Sequence, residues 1–403
     1  MEKIVRTVKP FILSYCLTVI LATALLFLVS RIPQSMLSEN WEENRNVELS
    51  LNYFHLLEEG NYATYVDDYT DNIKIDIAYR LNEQSILAPA AYFIDDDFRY
   101  DYGRYWHGYC ILLRPLLLFF NLNQIKILYG ILLSVAFLAL VFLLIKKKQY
   151  IAVISTAAAF YACNLYVTTK SLQYFNCTFL ALMASVLFLY DQSIYKRWKC
   201  IVFFGIGMCV NYFDFLTFET LTLTLPLLFA ELDNDEVLSK RVLNTVKCFI
   251  FWLTGYAFMF GTKCLLYICV DKSAAELLKY KIVQRTVGHD SVEQYPFSET
   301  LKLTLSCVKG ISFTNYGRVC LVLLAVFLVT LVIRRFCQNK VLDNGIVFFL
   351  IGLIPIIRFF VLREHSSSHF CFTYFALFVT IISTVYIGIS FTVHSLKYIW
   401  GKL

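Results

Sequence analysis

Long apolar runs alternate with short polar breaks along most of this chain. The first run, Phe11–Val29, follows Lys9-Pro10, and no small-x-small cleavage site comes after it, so it reads as an uncleaved membrane anchor. Further runs cover 127–145, 150–167, 174–190, 200–213, 218–230, 247–270, 317–333, 345–362 and 370–393. Together they predict an all-α polytopic transmembrane bundle of about ten spans. The runs 200–213 and 218–230 are short for a hydrocarbon core about 30 Å thick, and they meet at a polar centre, Asn211–Thr217.

The polar stretches between the runs are unequal. Residues 31–108 form a long first loop, in which Ser38 opens a helix running to Gly60 and a second helix covers Asn72–Leu81. Ile111–Phe120 is too short to span a bilayer, so 109–121 reads as an interfacial helix. Residues 271–315 form a second loop, in which Ala274–Val287 is a basic, partly amphipathic helix expected to rest on the membrane surface. The whole chain, 1–403, reads as a single integral membrane domain.

Charge adds orientation. Basic clusters close the apolar runs at Lys3/Arg6/Lys9, Lys146/Lys147/Lys148, Lys196/Arg197/Lys199, Lys240/Arg241/Lys247, Arg334/Arg335/Lys340 and Lys397/Lys402. The breaks around 163–176, 211–218 and 363–369 hold only Lys170 and Arg363. By the positive-inside rule both termini are cytoplasmic, and the 31–108 and 271–315 loops are extracytoplasmic. An apolar share of 58% with 16% charged residues excludes an ordinary soluble domain. The net charge of +6 belongs to loops that meet anionic lipid, and no basic, aromatic-interleaved soluble segment points to nucleic acid. The 13 cysteines include no CxxC pair; most read as small apolar residues, with Cys110 and Cys307 as candidates for a disulfide.

Four polar clusters fall on the side opposite the basic loops. Asp67, Asp68 and Asp71 lie in DDYTDN, where carboxylates can hold a divalent cation or deprotonate a hydroxyl, or simply cap the next helix. Arg104, Tyr105, Trp106 and His107 precede Arg114, a set suited to a phosphate and a sugar ring; an interfacial aromatic belt explains the rings equally well. Asp214 and Glu219 sit between the two short runs, at a depth where ionisable groups are costly. Arg358 precedes His365, His369 and Tyr374; the histidines, four apart, share a helix face. No Gly-rich nucleotide loop occurs in a cytoplasmic break.

The stretches DDYTDN (67–72), RYWHGY (104–109), RPLL (114–117), YFDFLTF (212–218) and HSSSHFCFTY (365–374) resemble those of a family of polytopic membrane proteins of low-GC Gram-positive bacteria. The order of first span, long acidic loop, interfacial helix and many further spans is similar to the GT-C class of integral membrane glycosyltransferases. That resemblance implies transfer of a sugar from a polyprenyl-phosphate donor to a cell-envelope glycan, at the outer face of a bacterial cell membrane. It implies Asp71 as general base or metal ligand, with Asp67, Asp68 and Asp214 as further catalytic candidates. Arg104, Tyr105, Trp106, His107, Arg114, His365, His369 and Tyr374 are then the substrate-binding candidates. Two other classes stand beside it: a transporter or flippase of envelope precursors, with Asp214 and Arg358 on the path, and a non-catalytic partner of a polysaccharide machine.

Overall fold

The computed structural model describes residues 2–41, 55–82, 86, 92–93, 99–100, 102–286, 295–311, 314–315, 317–318, 328 and 340–400. The described residues are helical almost throughout. In chain order the helices are α1 (Glu2–Ser30), α2 (Asp68–Arg80), α3 (Cys110–Leu116), α4 (Leu122–Lys146), α5 (Tyr150–Ala162), α6 (Leu172–Tyr190), α7 (Gln192–Phe213) and α8 (Leu221–Leu232). There follow α9 (Leu238–Val270), α10 (Ala274–Thr286), α11 (Phe297–Ser306), α12 (Lys340–Val361), α13 (Arg363–Ser368), α14 (Phe370–Thr373) and α15 (Phe378–Trp400). Strands β1 (His55–Leu56) and β2 (Tyr65–Val66) pair antiparallel, as do β3 (Tyr92–Phe93) and β4 (Arg99–Tyr100).

Among the described residues six segments are long and apolar enough to cross a membrane: Val8–Ser30, Leu122–Lys146, Leu172–Tyr190, Leu238–Val270, Leu342–Val361 and Phe370–Val393. They correspond to six of the ten predicted runs. Three more runs differ from the simple expectation. The run at 150–167 is a 13-residue helix, α5, followed by a 3-10 turn over Leu165–Lys170. The run at 200–213 is the apolar part of α7, whose first turns carry Lys196, Arg197 and Lys199. The run at 218–230 becomes α8, 12 residues or about 18 Å of helix, shorter than a bilayer core. The tenth run, 317–333, lies mostly outside the described residues, as do the polar stretch at 287–294 and positions 42–54 of the helix expected from Ser38 to Gly60; that helix does not reach Gly60, because 55–60 form strand β1 and a turn.

The shortness of α8 has a physical explanation. All twelve of its residues are buried, and it packs against α6, α7, α9, α12 and α15. A helix sheathed by protein on every side need not match a lipid thickness. Buried ion pairs stand at both ends: Glu219 with Arg358 just before its start, and Glu231 with Arg241 in its last turn. By contrast α1, α4 and α9 expose apolar side chains outward, including Leu17, Ile20, Ile127, Leu138, Phe142, Ile250 and Leu265. Such faces suit contact with lipid tails.

The most extensive helix pair is α7 with α9. A Cβ on Gly207 would lie 2.0 Å from the Trp252 carbonyl oxygen, and one on Gly255 would lie 2.1 Å from that of Phe204. These two glycines let the backbones touch, the small-residue packing that membrane helices use in place of a hydrophobic driving force.

The two ends of the bundle differ in chemistry. At one end the α4–α5, α7, α8–α9 and α12 termini gather. There Lys147 and Gln149 donate to Asp233 at 2.8 and 2.7 Å, and Arg241, Tyr195 and Asn234 all bond Glu231. At the other end, α2, α3, α10, α13 and the α7–α8 turn come together. The interfacial helix expected over 109–121 is α3 plus one further turn, and α4 begins at Leu122 rather than at 127. Cys110 and Cys307 are free thiols, not a disulfide. Each is buried.

Candidate functional site

All four polar clusters meet at that second end, and backbone contacts tie them together. Gly108 N–H donates to the Tyr212 carbonyl at 2.9 Å, joining RYWHGY to YFDFLTF. His365 Nε2 bonds the Leu216 carbonyl at 2.7 Å, joining the histidine stretch to the same turn. The Tyr374 hydroxyl lies 2.7 and 2.8 Å from the Ala63 and Cys163 carbonyl oxygens.

Two cavities open here. One is the more polar of the two, about 330 Å³, bounded by Asp67, Thr70, Gln173, His365 and His369 among the side chains of Tyr65, Tyr69, Tyr102, Tyr105, Phe215 and Phe372. The other is apolar, about 350 Å³, walled by α9, α10 and α12 through residues such as Phe249, Leu253, Leu278 and Ile354. Its charged members are Arg104, Lys281, Arg285 and the pair Glu219–Arg358. Tyr105 and Arg285 belong to both linings, so the cavities adjoin at a cationic neck.

Asp67 caps α2: its side chain accepts from Thr70 N at 2.9 Å and from Thr70 Oγ1 at 2.8 Å. It is buried at the edge of the polar cavity. Burial pushes its carboxyl up to about 6, with Asp71 and Asp68 adding like charge, against the lowering effect of the Thr70 bonds. Asp68 pairs instead with Lys126 at 3.1 Å and with His55. Asp71 is wholly buried and fully engaged. It accepts from Ser171 Oγ, Leu172 N and Gln173 N at 2.9 to 3.1 Å, and Lys126 Nζ is 3.2 Å away. Here α2 supplies a carboxylate to the N-terminus of α6, where exposed N–H groups and the helix dipole favour an anion. Asp71 therefore faces α6 and neither cavity.

The histidine pair lines the polar cavity. Arg285 donates to His365 Nδ1 at 2.8 Å while His365 Nε2–H donates to Leu216 O, which fixes a neutral tautomer. Burial, then the nearby Arg285, holds His365 well below the usual imidazole range, and the same causes lower His369 to about 4. Their rings lie 4.7 Å apart, centroid to centroid.

Other predicted residues build the scaffold. Arg104 stacks at 4.6 Å on Tyr105 and borders the apolar cavity. The Trp106 indole donates to Met259 O at 2.9 Å, on α9. His107, in the left-handed region at φ 59°, is buried between the Tyr109 hydroxyl and the Tyr102 carbonyl. Burial brings it down to about 3, so it is neutral. The Arg114 guanidinium donates to the carbonyls of Ala78, Tyr79 and Ile32, closing the C-terminus of α2 against the end of α1. Asp214 accepts from Thr217 N and Oγ1 at 2.8 and 2.7 Å, shaping the α7–α8 turn in which Leu216 takes φ 66°. A Cβ on Gly108 would lie 2.3 Å from the Tyr212 ring and 2.6 Å from its carbonyl oxygen. Gly108→Ala is thus expected to lower the yield of folded protein severely, by about 3 kcal/mol of stability or more, read as loss of the monodisperse peak in detergent chromatography.

Two site residues were not foreseen. Arg285 lies in the last turn of α10, on the same face as Leu278 and Ile282; an arginine on an apolar face was the available signal. Lys74, three residues after Asp71, is buried with its ammonium 5.0 Å from the Tyr109 ring and 5.3 Å from that of Phe215. Burial lowers it, while Asp214 and Asp71 oppose that shift.

A divalent cation finds no ready set of ligands. Among the described residues no three His, Cys, Asp or Glu side chains are grouped to hold one. Both His365 nitrogens are committed. No family model, curated protein or solved structure matches the chain.

Proposed function

We propose that the protein is a GT-C-like glycosyltransferase of a bacterial cell membrane. It transfers a sugar from a polyprenyl-phosphate donor to an envelope glycan, with the site end facing outward. The observation that carries this reading is the join between an apolar and a polar cavity at Tyr105 and Arg285. A lipid-linked sugar phosphate needs those three surroundings in that order: a greasy wall for isoprenoid, cations for phosphate, and a polar, aromatic-lined chamber for carbohydrate.

In this reading Asp67 replaces Asp71 as the base, because Asp67 borders the chamber and Asp71 is spent on α6. The acceptor hydroxyl attacks the anomeric carbon as the bond from that carbon to the phosphate oxygen breaks. Asp67 takes the hydroxyl proton, and the lipid phosphate leaves toward Arg285 and Arg104, whose charge stabilises it. The neutral imidazoles of His365 and His369 do not compete with these arginines as cations. His365 holds Arg285 at the neck. A carboxyl near 6 is mostly ionised at neutral pH yet still basic enough to accept a proton. Because the base must be deprotonated, kcat/KM is expected to hold above pH 6 and to fall about tenfold per unit below it.

The test is the wall glycan composition of a deletion strain, measured beside the complemented strain. Loss of one sugar modification, with its lipid-linked donor accumulating, supports the proposal. An unchanged glycan with a donor-transport defect favours the flippase alternative.

A further inference from the structure

Helix α10 differs from its neighbours in how it is held. Of its 13 residues only Ala274 and Leu278 are buried. They pack with Tyr267, Cys264 and Ile268 in a small cluster separate from the main core. Its start is a turn at Asp271–Ser273, where Asp271 accepts from Ser273 N at 2.9 Å. Near its other end the Arg285–His365 bond reaches the α13 turn. Leu278, Ile282 and Arg285 line the open apolar cavity, and Ile282, Tyr280 and Val283 are exposed. An element with two of 13 residues buried, packed on α9 and α13 outside the main core, belongs to the low-stability end of a fold.

We infer that α10 is the side door of the apolar cavity, hinged at Asp271–Ser273 and latched by Arg285, and that an anionic lipid headgroup at the neck holds it closed. The inference rests on reading that cavity as a lipid-phosphate site. Arg285 has donors beyond the one given to His365. An anion at the neck adds charge-assisted bonds to the latch that an alcohol of the same chain length lacks. The ligand thereby stabilises the closed position by its preference for it.

The experiment is maleimide labelling of Leu278→Cys, in a parent whose native cysteines are replaced, in nanodiscs. It needs no glycosyl transfer, so its failure and that of the proposed reaction are separable. Farnesyl phosphate is expected to slow labelling on the order of tenfold, within the usual range of coupling between sites, and farnesol less than twofold. Arg285→Gln is expected to speed labelling about tenfold and to abolish protection, while Ala159→Cys, buried in α5, stays slow in both backgrounds. Equal protection by the two amphiphiles, protection by neither, or an unchanged rate in Arg285→Gln overturns the inference. If Ala159→Cys also becomes fast in the Arg285→Gln background, the two-amphiphile comparison with Arg285 intact decides.

Discussion

Asp67→Asn is expected to lose on the order of 10²-fold or more of glycan modification while the protein folds and inserts normally. Asn is nearly as good an N-cap as Asp, so the bond from Thr70 N that starts α2 survives, and the Thr70 hydroxyl can turn to accept from the new amide. What disappears is the ability to accept a proton at neutral pH, and general-base catalysis is worth about that much. Asp71→Asn should behave in the opposite way. Its amide cannot accept from Leu172 N and Gln173 N with both atoms, and Lys126 loses an anion. Stability should then fall by about 3 kcal/mol, the scale for stranding one member of a buried pair, and activity should fall only with the amount of folded protein. Activity per folded molecule, measured for both variants at matched membrane levels, separates the roles. Full specific activity in Asp67→Asn would remove it from the mechanism.

The second large effect is on the fold. Arg358→Met is expected to destabilise the protein by about 3–5 kcal/mol, the scale for stranding one partner of a buried ion pair. Arg358 bonds both Glu219 oxygens at 3.1 and 3.3 Å, the Thr217 carbonyl at 3.0 Å and Ser366 Oγ at 2.8 Å. It thus ties α12 and α13 to the turn that enters α8. Replacing both partners, Glu219→Gln with Arg358→Met, should recover much of the loss, because the uncompensated carboxylate is gone. Unfolding in detergent, compared across both singles and the double, checks this. A double variant as unstable as the sum of the singles would contradict it.

Much of this was legible in the chain, and the failures have a common cause. Helices and lipid-facing runs follow from apolar length, so α1, α4 and α9 were readable directly. The buried α8 was not, because an apolar run reads alike whether protein or lipid surrounds it. Meeting of the four polar clusters followed from the cost of isolated charge in a membrane. Their individual duties did not follow. Arg114 and Asp71 sit in short polar motifs, yet their partners, mostly backbone groups, lie 35 to 102 residues away, which no local pattern reveals. Arg285 escaped notice because a basic amphipathic helix reads first as a membrane-surface element, and its cavity-facing side appears only when α12 and α13 are placed.

The proposed function requires a lipid phosphate in the apolar cavity with its headgroup at Arg285. Photolabelling tests it most directly, using a polyprenyl phosphate with a diazirine in its isoprenoid chain and mass-spectrometric mapping of the adducts. Adducts on Phe249, Ile354 and Ile282, lost with excess farnesyl phosphate and reduced in Arg285→Gln, are the expected result. Adducts confined to outward faces such as Leu138 and Phe142, insensitive to competitor, would contradict the account.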